Sequence, residues 1–310
     1  MEPLYSAGCK QVSATALDPV YLNCLTVTKS ASRSGFLTST ILILCALLYR
    51  YIITPSLLSK LYGSSYTHLQ PSQQKKFLLH HVGLVMKLLS LIFMLFPTFW
   101  VFIRGHYWTD PFYHTSQITL GDVAFLSITM VSSLFIFQLL CEEETKLVHI
   151  LHHICATLAT QGLPIWGAST PVDQLSLFPS YTKVAELCLL WVLFSGVYSV
   201  LTTSNNILRR CLASSGGALL HRLYFFTFYS TSVITMSEAL AILYPICLGS
   251  SRSDLSLKIT VILLQILFTG TKVLTTLPFY TMGREQKMQY QEHQRKARLS
   301  ATCPSKRESQ

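Results

Sequence analysis

The chain has 310 residues, half of them hydrophobic and only 12% charged, with a mean hydropathy of +0.42 and a formal charge of +10. Ordinary soluble domains carry about 25% charged residues, so the soluble class is excluded and a membrane protein remains. No folded basic module accompanies the positive charge, which argues for membrane topology and attraction to anionic lipid rather than for nucleic acid.

A helix needs about 20 apolar residues to cross the roughly 30 Å hydrocarbon core of a bilayer. Seven runs approach or exceed that length, at residues 36–53, 77–103, 118–140, 147–166, 185–203, 223–249 and 256–281. Residues 1–35 carry no clear pattern and are expected as a luminal or external tail. The run that follows, FLTSTILILCALLYRYII, starts too far along to be a signal peptide, whose apolar core sits directly behind a short basic start. It is read as a retained first helix, with its loop completing residues 36–71. The next six runs form a membrane domain over residues 72–283. The fourth is the weakest, because histidines and threonines dilute it, yet its neighbours need it to keep the topology consistent. Connections this short leave no room for a second globular domain. Residues 284–310, polar and rich in Lys, Arg and Gln, are expected as a mobile basic tail. The fold class expected is an all-α membrane protein, a bundle of seven transmembrane helices.

Loop charges orient such a bundle. With the C-terminus cytosolic, the inner segments hold Lys60, Lys75, Lys76, Lys146, Arg209, Arg210, Arg222 and the seven basic residues of the tail. Lys10, Lys29, Arg33, Arg104, Lys183, Arg252 and Lys258 fall on the other side, about half as many, so the positive-inside rule favours this orientation. The nine cysteines form no CxxC pair or zinc-ribbon spacing. Most of them, Cys45, Cys155, Cys188 and Cys247 included, lie in apolar runs, where a free cysteine behaves as a small hydrophobe. Cys9 and Cys24 share the luminal side, and the sequence leaves open whether they pair.

Charged side chains at the membrane centre cost roughly 2.5 to 3.5 kcal/mol each on insertion scales, so they are functional candidates by default. The second run carries His80, His81 and Lys87, the third Asp122 and the neutral Gln138, and the fourth His149, His152 and His153. Glu186, Glu238 and Lys272 fall in the fifth, sixth and seventh. At 1.5 Å per residue, His80 and His81 lie about 5 Å inside the cytosolic end, His152 and His153 about 8 Å, and Lys87 and Lys272 about 15 Å. His149, His152 and His153 share one helix face, which Ala156 and Thr160 extend. His80, Gly83, Leu84 and Lys87 make a comparable stripe. Two such stripes at one depth imply a common buried pocket, in which His149, His80, His81, Lys87 and Gln138 are candidate lipid-binding residues. Glu238 and Lys272 lie on consecutive helices and are expected to form a structural ion pair.

HILHH has the spacing of one histidine box of di-iron membrane oxygenases, but the companion boxes are missing, so no metal site is expected. A mononuclear zinc on His149 and His153 keeps only a small weight. The other chemistry open to these residues is proton transfer. A neutral buried imidazole can take a proton from an amine or hydroxyl attacking an activated acyl group. Against that stands the purely structural use of histidines as hydrogen-bonding links between helices, worth about 1 kcal/mol each.

The block FIFQLLCEEETKLVHILHHICATLA, residues 135–159, resembles the TLC (TRAM-Lag1-CLN) domain. In that family an aromatic-rich helix end, a short acidic loop and a His-His pair opening the next helix follow in this order. Here the loop is Glu142, Glu143 and Glu144, the pair is His152 and His153, and Gln138 stands where the family usually has Asp. The resemblance implies an endoplasmic-reticulum or related membrane location and membrane lipids as partners; whether the protein forms a homo- or hetero-oligomer in the membrane is left open by the sequence. It also implies a catalytic role for His152 and His153 if the protein is a ceramide-synthase-like acyltransferase, with acyl-CoA as co-substrate and no bound cofactor. The synthases follow the pair with a second cluster of histidine and aspartate, whereas residues 161–190 hold no histidine and only Asp173 and Glu186 as acids. The expectation is therefore a TLC-like protein that binds or handles lipid, in membrane lipid homeostasis or trafficking, with acyl transfer as the alternative.

Overall fold

The computed structural model describes residues 19–114, 116–142, 147–169, 178–212, 217–248 and 255–302. Among them nine α-helices run in chain order. They are α1 Pro19–Leu47, α2 Pro55–Tyr62, α3 Ser64–Thr67, α4 Pro71–Phe102, α5 Leu120–Cys141, α6 Leu147–Ser169, α7 Phe178–Leu212, α8 Gly217–Leu248 and α9 Leu255–Thr302. A π-helical turn, Leu48–Ile52, prolongs α1. No strand occurs among the described residues, and one isolated bridge joins Pro111 to Thr119. The protein is an all-α membrane bundle.

Each of the seven apolar runs is helical, but the number of spans is corrected. Among the described residues six segments are long and apolar enough to cross a bilayer: Arg33–Ile52, Pro71–Phe102, Leu120–Cys141, Glu186–Leu212, Ala218–Tyr244 and Lys258–Lys296. Helix α6 does not stand among the six. Its inner face carries His149, His152, His153, Thr157, Thr160 and Gln161 in place of hydrocarbon. A second difference concerns the ends. Helix begins at Pro19 inside the expected N-terminal tail, and α9 runs on to Thr302 through most of the expected basic tail. Runs such as REQKMQYQEHQRKA hold good helix formers and no Gly or Pro, so a helix that has started has no local reason to stop. Glu292 and Lys296 pair at i,i+4 on this extension at 2.7 Å. Cys9, Glu143, Glu144, Lys146, Asp173 and the side chain of Cys24 lie outside the described residues.

Helix α5 is the centre. Most of its residues are buried, as expected of a helix enclosed by others, and α1, α4 and α6 pack on it. Small hydroxyl residues let its neighbours come close. Ser127 Oγ donates to the Ser90 carbonyl of α4 at 2.6 Å, and Ser132 Oγ meets Thr160 Oγ1 of α6 at 2.6 Å. The start of α5 is set by a capping box in which Thr119 and Asp122 each bond the other's backbone N–H. Asp122, an acidic group inside an apolar run, is thus a helix cap. Beyond this centre α4 packs on α7, α7 on α8, α8 on α9, and α9 returns to α6, closing the bundle.

The connection between the first two spans folds back over one end of the bundle. Thr54 caps α2 by accepting from the Leu57 N–H, and Pro55 sits at its first turn, where a missing N–H costs nothing. Gly63 turns the chain from α2 into α3 at a φ of +54° that residues with a side chain rarely adopt.

Candidate functional site

Contacts between helix ends show which residues share a side. Arg210 donates to the Gln73 carbonyl at 3.0 Å and lies over the Phe77 ring. Arg209 reaches Met282 Sδ, and Tyr224 stacks with Phe279. Lys60 of α2, Lys75 and Lys76 of α4, Arg209 and Arg210 of α7, Arg222 of α8 and Arg284 of α9 therefore gather at one end. At the other end Trp108 Nε1 donates to Glu186 at 3.2 Å and His106 pairs with Asp110 at 2.8 Å. The histidine stripes of α4 and α6 both lie towards the basic end.

Helix α6 presents its outer edge, Leu151, Ile154 and Leu158, to the surroundings, while Ala156 and Thr160 are buried. The histidines occupy the inner side. The His152 ring lies edge-on to Phe268 of α9 at 5.2 Å and near Phe135 of α5 at 5.9 Å. The His153 ring tilts over Phe135 with centroids 4.4 Å apart. Aromatic walls on two helices hold the pair in place, and those walls belong to an apolar cluster with Ala156, Cys188 and Trp191.

The hydrogen bonding of His152 assigns its proton. Thr271 Oγ1 donates to the Phe268 carbonyl at 2.8 Å, so its one proton is committed. The same oxygen stands 3.4 Å from His152 Nδ1 and acts there as an acceptor. With the hydroxyl proton so placed, the arrangement favours the tautomer that carries its hydrogen on Nδ1 and leaves a lone pair on Nε2.

His153 differs, because its buried Nδ1 has no hydrogen-bond partner among the described residues. The same holds for Thr157 Oγ1 and Gln161 Nε2. These three residues recur at i, i+4 and i+8, one line along one helix face spanning about 12 Å. Leaving a buried polar atom unsatisfied costs about 1–3 kcal/mol.

The α4 residues divide. His81 Nδ1 donates to the Phe77 carbonyl at 2.8 Å and Nε2 accepts from the Tyr62 hydroxyl at 2.8 Å. With both nitrogens used, His81 ties α2 to α4. Lys87 points inward, donates to Thr203 Oγ1 of α7 at 2.9 Å, and lies in electrostatic range of His80, His152 and His153. Gln138 reaches α4 where Gly83 has no side chain; a Cβ there would stand 3.3 Å from its Nε2. Lys87 is thus in electrostatic reach of both stripes, and Gln138 stands against the α4 one. His149 stands one turn from His152, nearer the helix start, and also acts on it electrostatically.

Glu238 of α8 and Lys272 of α9 form a buried ion pair, and Lys272 also donates to Ser195 Oγ of α7 at 2.8 Å. The Tyr198 ring lies under the ammonium at 5.5 Å. Lys272 follows Thr271 directly, so the ion pair and the His152 contact share one turn of α9. Among the described residues no three His, Cys, Asp or Glu side chains converge on a point that suits a metal ion.

Thr271, Thr157, Gln161 and the walls Phe135 and Phe268 escape the sequence reading. Thr157 and Gln161 had a signal, the i+4 repeat from His153. Thr271 had none, since only the packing of α9 against α6 brings it to His152. Comparison with protein-family models, with curated proteins and with solved structures finds no match for this chain.

Proposed function

We propose that this protein binds or handles a membrane lipid at the inner face of α6, in the manner the TLC-like block of residues 135–159 implies. One observation carries the reading: the line of buried acceptor and donor atoms without partners on His153, Thr157 and Gln161. A polar line about 12 Å long inside an otherwise apolar helix suits the headgroup and linkage region of a lipid whose chains lie along the aromatic and aliphatic walls. The lone pair on His152 Nε2 adds a preference for a lipid with a hydroxyl or amine donor. Lys87 and His149 act electrostatically on His153, Lys87 adding positive charge beside the line, and Gln138 and His80 are the polar groups of the neighbouring helices that this reading recruits to it. Gathering of basic residues at one end supports a cytosolic C-terminus, and the resemblance supports an endoplasmic-reticulum membrane.

The test is lipid retention. Purified protein is freed of bulk lipid in detergent, and the co-purifying lipids are extracted and identified by mass spectrometry. The expected result is a defined lipid class at near-stoichiometric amount in wild type, lost in the Thr157→Val, Gln161→Leu double variant. Equal retention in wild type and variant sinks the reading. A second reading, acyl transfer from acyl-CoA to a long-chain amine, is favoured by the free lone pair of His152, which suits a general base. In that case purified wild type forms the amide and the His152→Ala, His153→Ala variant does not.

A further inference from the structure

Away from the histidines, α7, α8 and α9 meet along a seam of unusual chemistry. On α7 the inward positions are Trp191, Ser195, Tyr198, Thr202, Asn205 and Arg209, alternating by four and three residues as facing helices require. On α8 the buried positions Thr227, Thr231, Thr235 and Glu238 continue it, and on α9 Gln265, Lys272 and Thr276 do so. A seam of this spacing inside a membrane is ordinarily apolar or built of small residues. This one is polar at nearly every level from mid-membrane to the basic end.

The cross-helix contacts set the register. Trp191 Nε1 donates to Gln265 Oε1, Lys272 bonds Ser195 and Glu238, and the Tyr198 hydroxyl meets Thr275 Oγ1 at 2.6 Å and Thr276 Oγ1 at 3.0 Å. Arg209 closes the seam at Met282. Asn205 falls between these last two levels, about 15 Å along α7 from Ser195. It is 1% exposed, and neither Oδ1 nor Nδ2 has a hydrogen-bond partner among the described residues. An unsatisfied buried amide is costly, and buried polar groups of this kind are met by internal water.

The hydroxyls between Asn205 and the ion pair are poised for the same ligand. Thr231 Oγ1 donates to the Thr227 carbonyl at 2.6 Å and Thr235 Oγ1 to the Thr231 carbonyl at 2.8 Å. Thr202 Oγ1 donates to the Tyr198 carbonyl at 3.1 Å. Each proton is spent on the residue's own helix, which leaves the oxygen lone pairs as acceptors. A chain of acceptors with an amide that both donates and accepts at its foot matches water.

We propose that the α7–α8–α9 seam holds a file of bound water molecules, anchored on Asn205, that joins the basic end of the bundle to the buried Glu238–Lys272 pair. Through Lys272 and the adjacent Thr271 the file ends one residue from the partner of His152. It forms a hydrated route for protons from the bundle end towards the histidine site, independent of whether that site takes a lipid.

Radiolytic hydroxyl labelling with mass spectrometry tests this, because radicals made from bound water oxidise the side chains that touch it. The full chain in nanodiscs is irradiated, and oxidation is followed at Tyr198, which is 8% exposed, and at Tyr107, which is 49% exposed at the opposite end. The expected result is clear oxidation of Tyr198 in wild type, reduced several-fold in Asn205→Leu, with Tyr107 unchanged. Thr231→Val removes one acceptor midway at equal volume and reads the same way should Asn205→Leu fail to fold. An unlabelled Tyr198 in wild type, or a yield unchanged in the variant that folds, overturns the proposal.

Discussion

Replacing Lys272 by Met leaves the Glu238 carboxylate with 0% of its side chain exposed and no counter-charge. Both partners are enclosed, with the lysine side chain 4% exposed, so solvent does not screen the pair as it does at a surface. Removing one member of a buried pair costs about 3–5 kcal/mol, because the survivor stays desolvated and uncompensated. Ser195 also loses its donor, adding up to about 1 kcal/mol for a hydrogen bond. Replacing both partners, Glu238→Leu with Lys272→Met, removes the stranded charge together with its cause, and such apolar swaps are often neutral or stabilising. The assay is a double-mutant cycle on unfolding free energy in mixed micelles, with helical circular dichroism as the probe. The expected pattern is a large loss in each single variant and recovery of most of it in the double. If the double variant loses as much as the two singles added together, the residues do not act as a pair and the reasoning fails.

Two further outcomes follow from single contacts. Tyr62→Phe deletes the hydroxyl that satisfies His81 Nε2 and leaves a part-buried acceptor unpaired. A destabilisation of about 1–2 kcal/mol is expected in the same unfolding assay, with lipid retention unchanged; loss of the bound lipid would return His81 to the ligand site. Thr271→Val removes the acceptor that holds the proton on His152 Nδ1, whereas Thr271→Ser keeps it. Nitrogen NMR of labelled histidine is expected to show His152 protonated at Nδ1 in wild type and in the serine variant and a mixture of tautomers in the valine variant. An Nε2-protonated His152 in wild type refutes the assignment.

The all-helical membrane class and the positions of six of the seven expected spans follow from sequence alone, because a bilayer leaves no other way to satisfy a backbone than a helix or a closed barrel, and apolar length is a one-dimensional signal. The inward face of α6 was equally legible, since i, i+3, i+4 spacing defines a side without reference to neighbours. So was the partnership of Glu238 and Lys272, where two buried opposite charges at similar depth have few ways to be tolerated. The end of α9 was not legible as helix, because a polar stretch with high helix propensity reads the same whether free or continued from a span. What only the tertiary structure decided is how polar groups divide. His80 and His81 are neighbours in sequence, yet His81 is consumed by Tyr62 and the Phe77 carbonyl while Lys87, nearly two turns on, turns to α7. The hydroxyl that faces His152 Nδ1 comes from Thr271, more than a hundred residues away. A side chain's chemistry is set by its hydrogen-bond partners, and in a bundle those partners come from helices whose adjacency no spacing along the chain records.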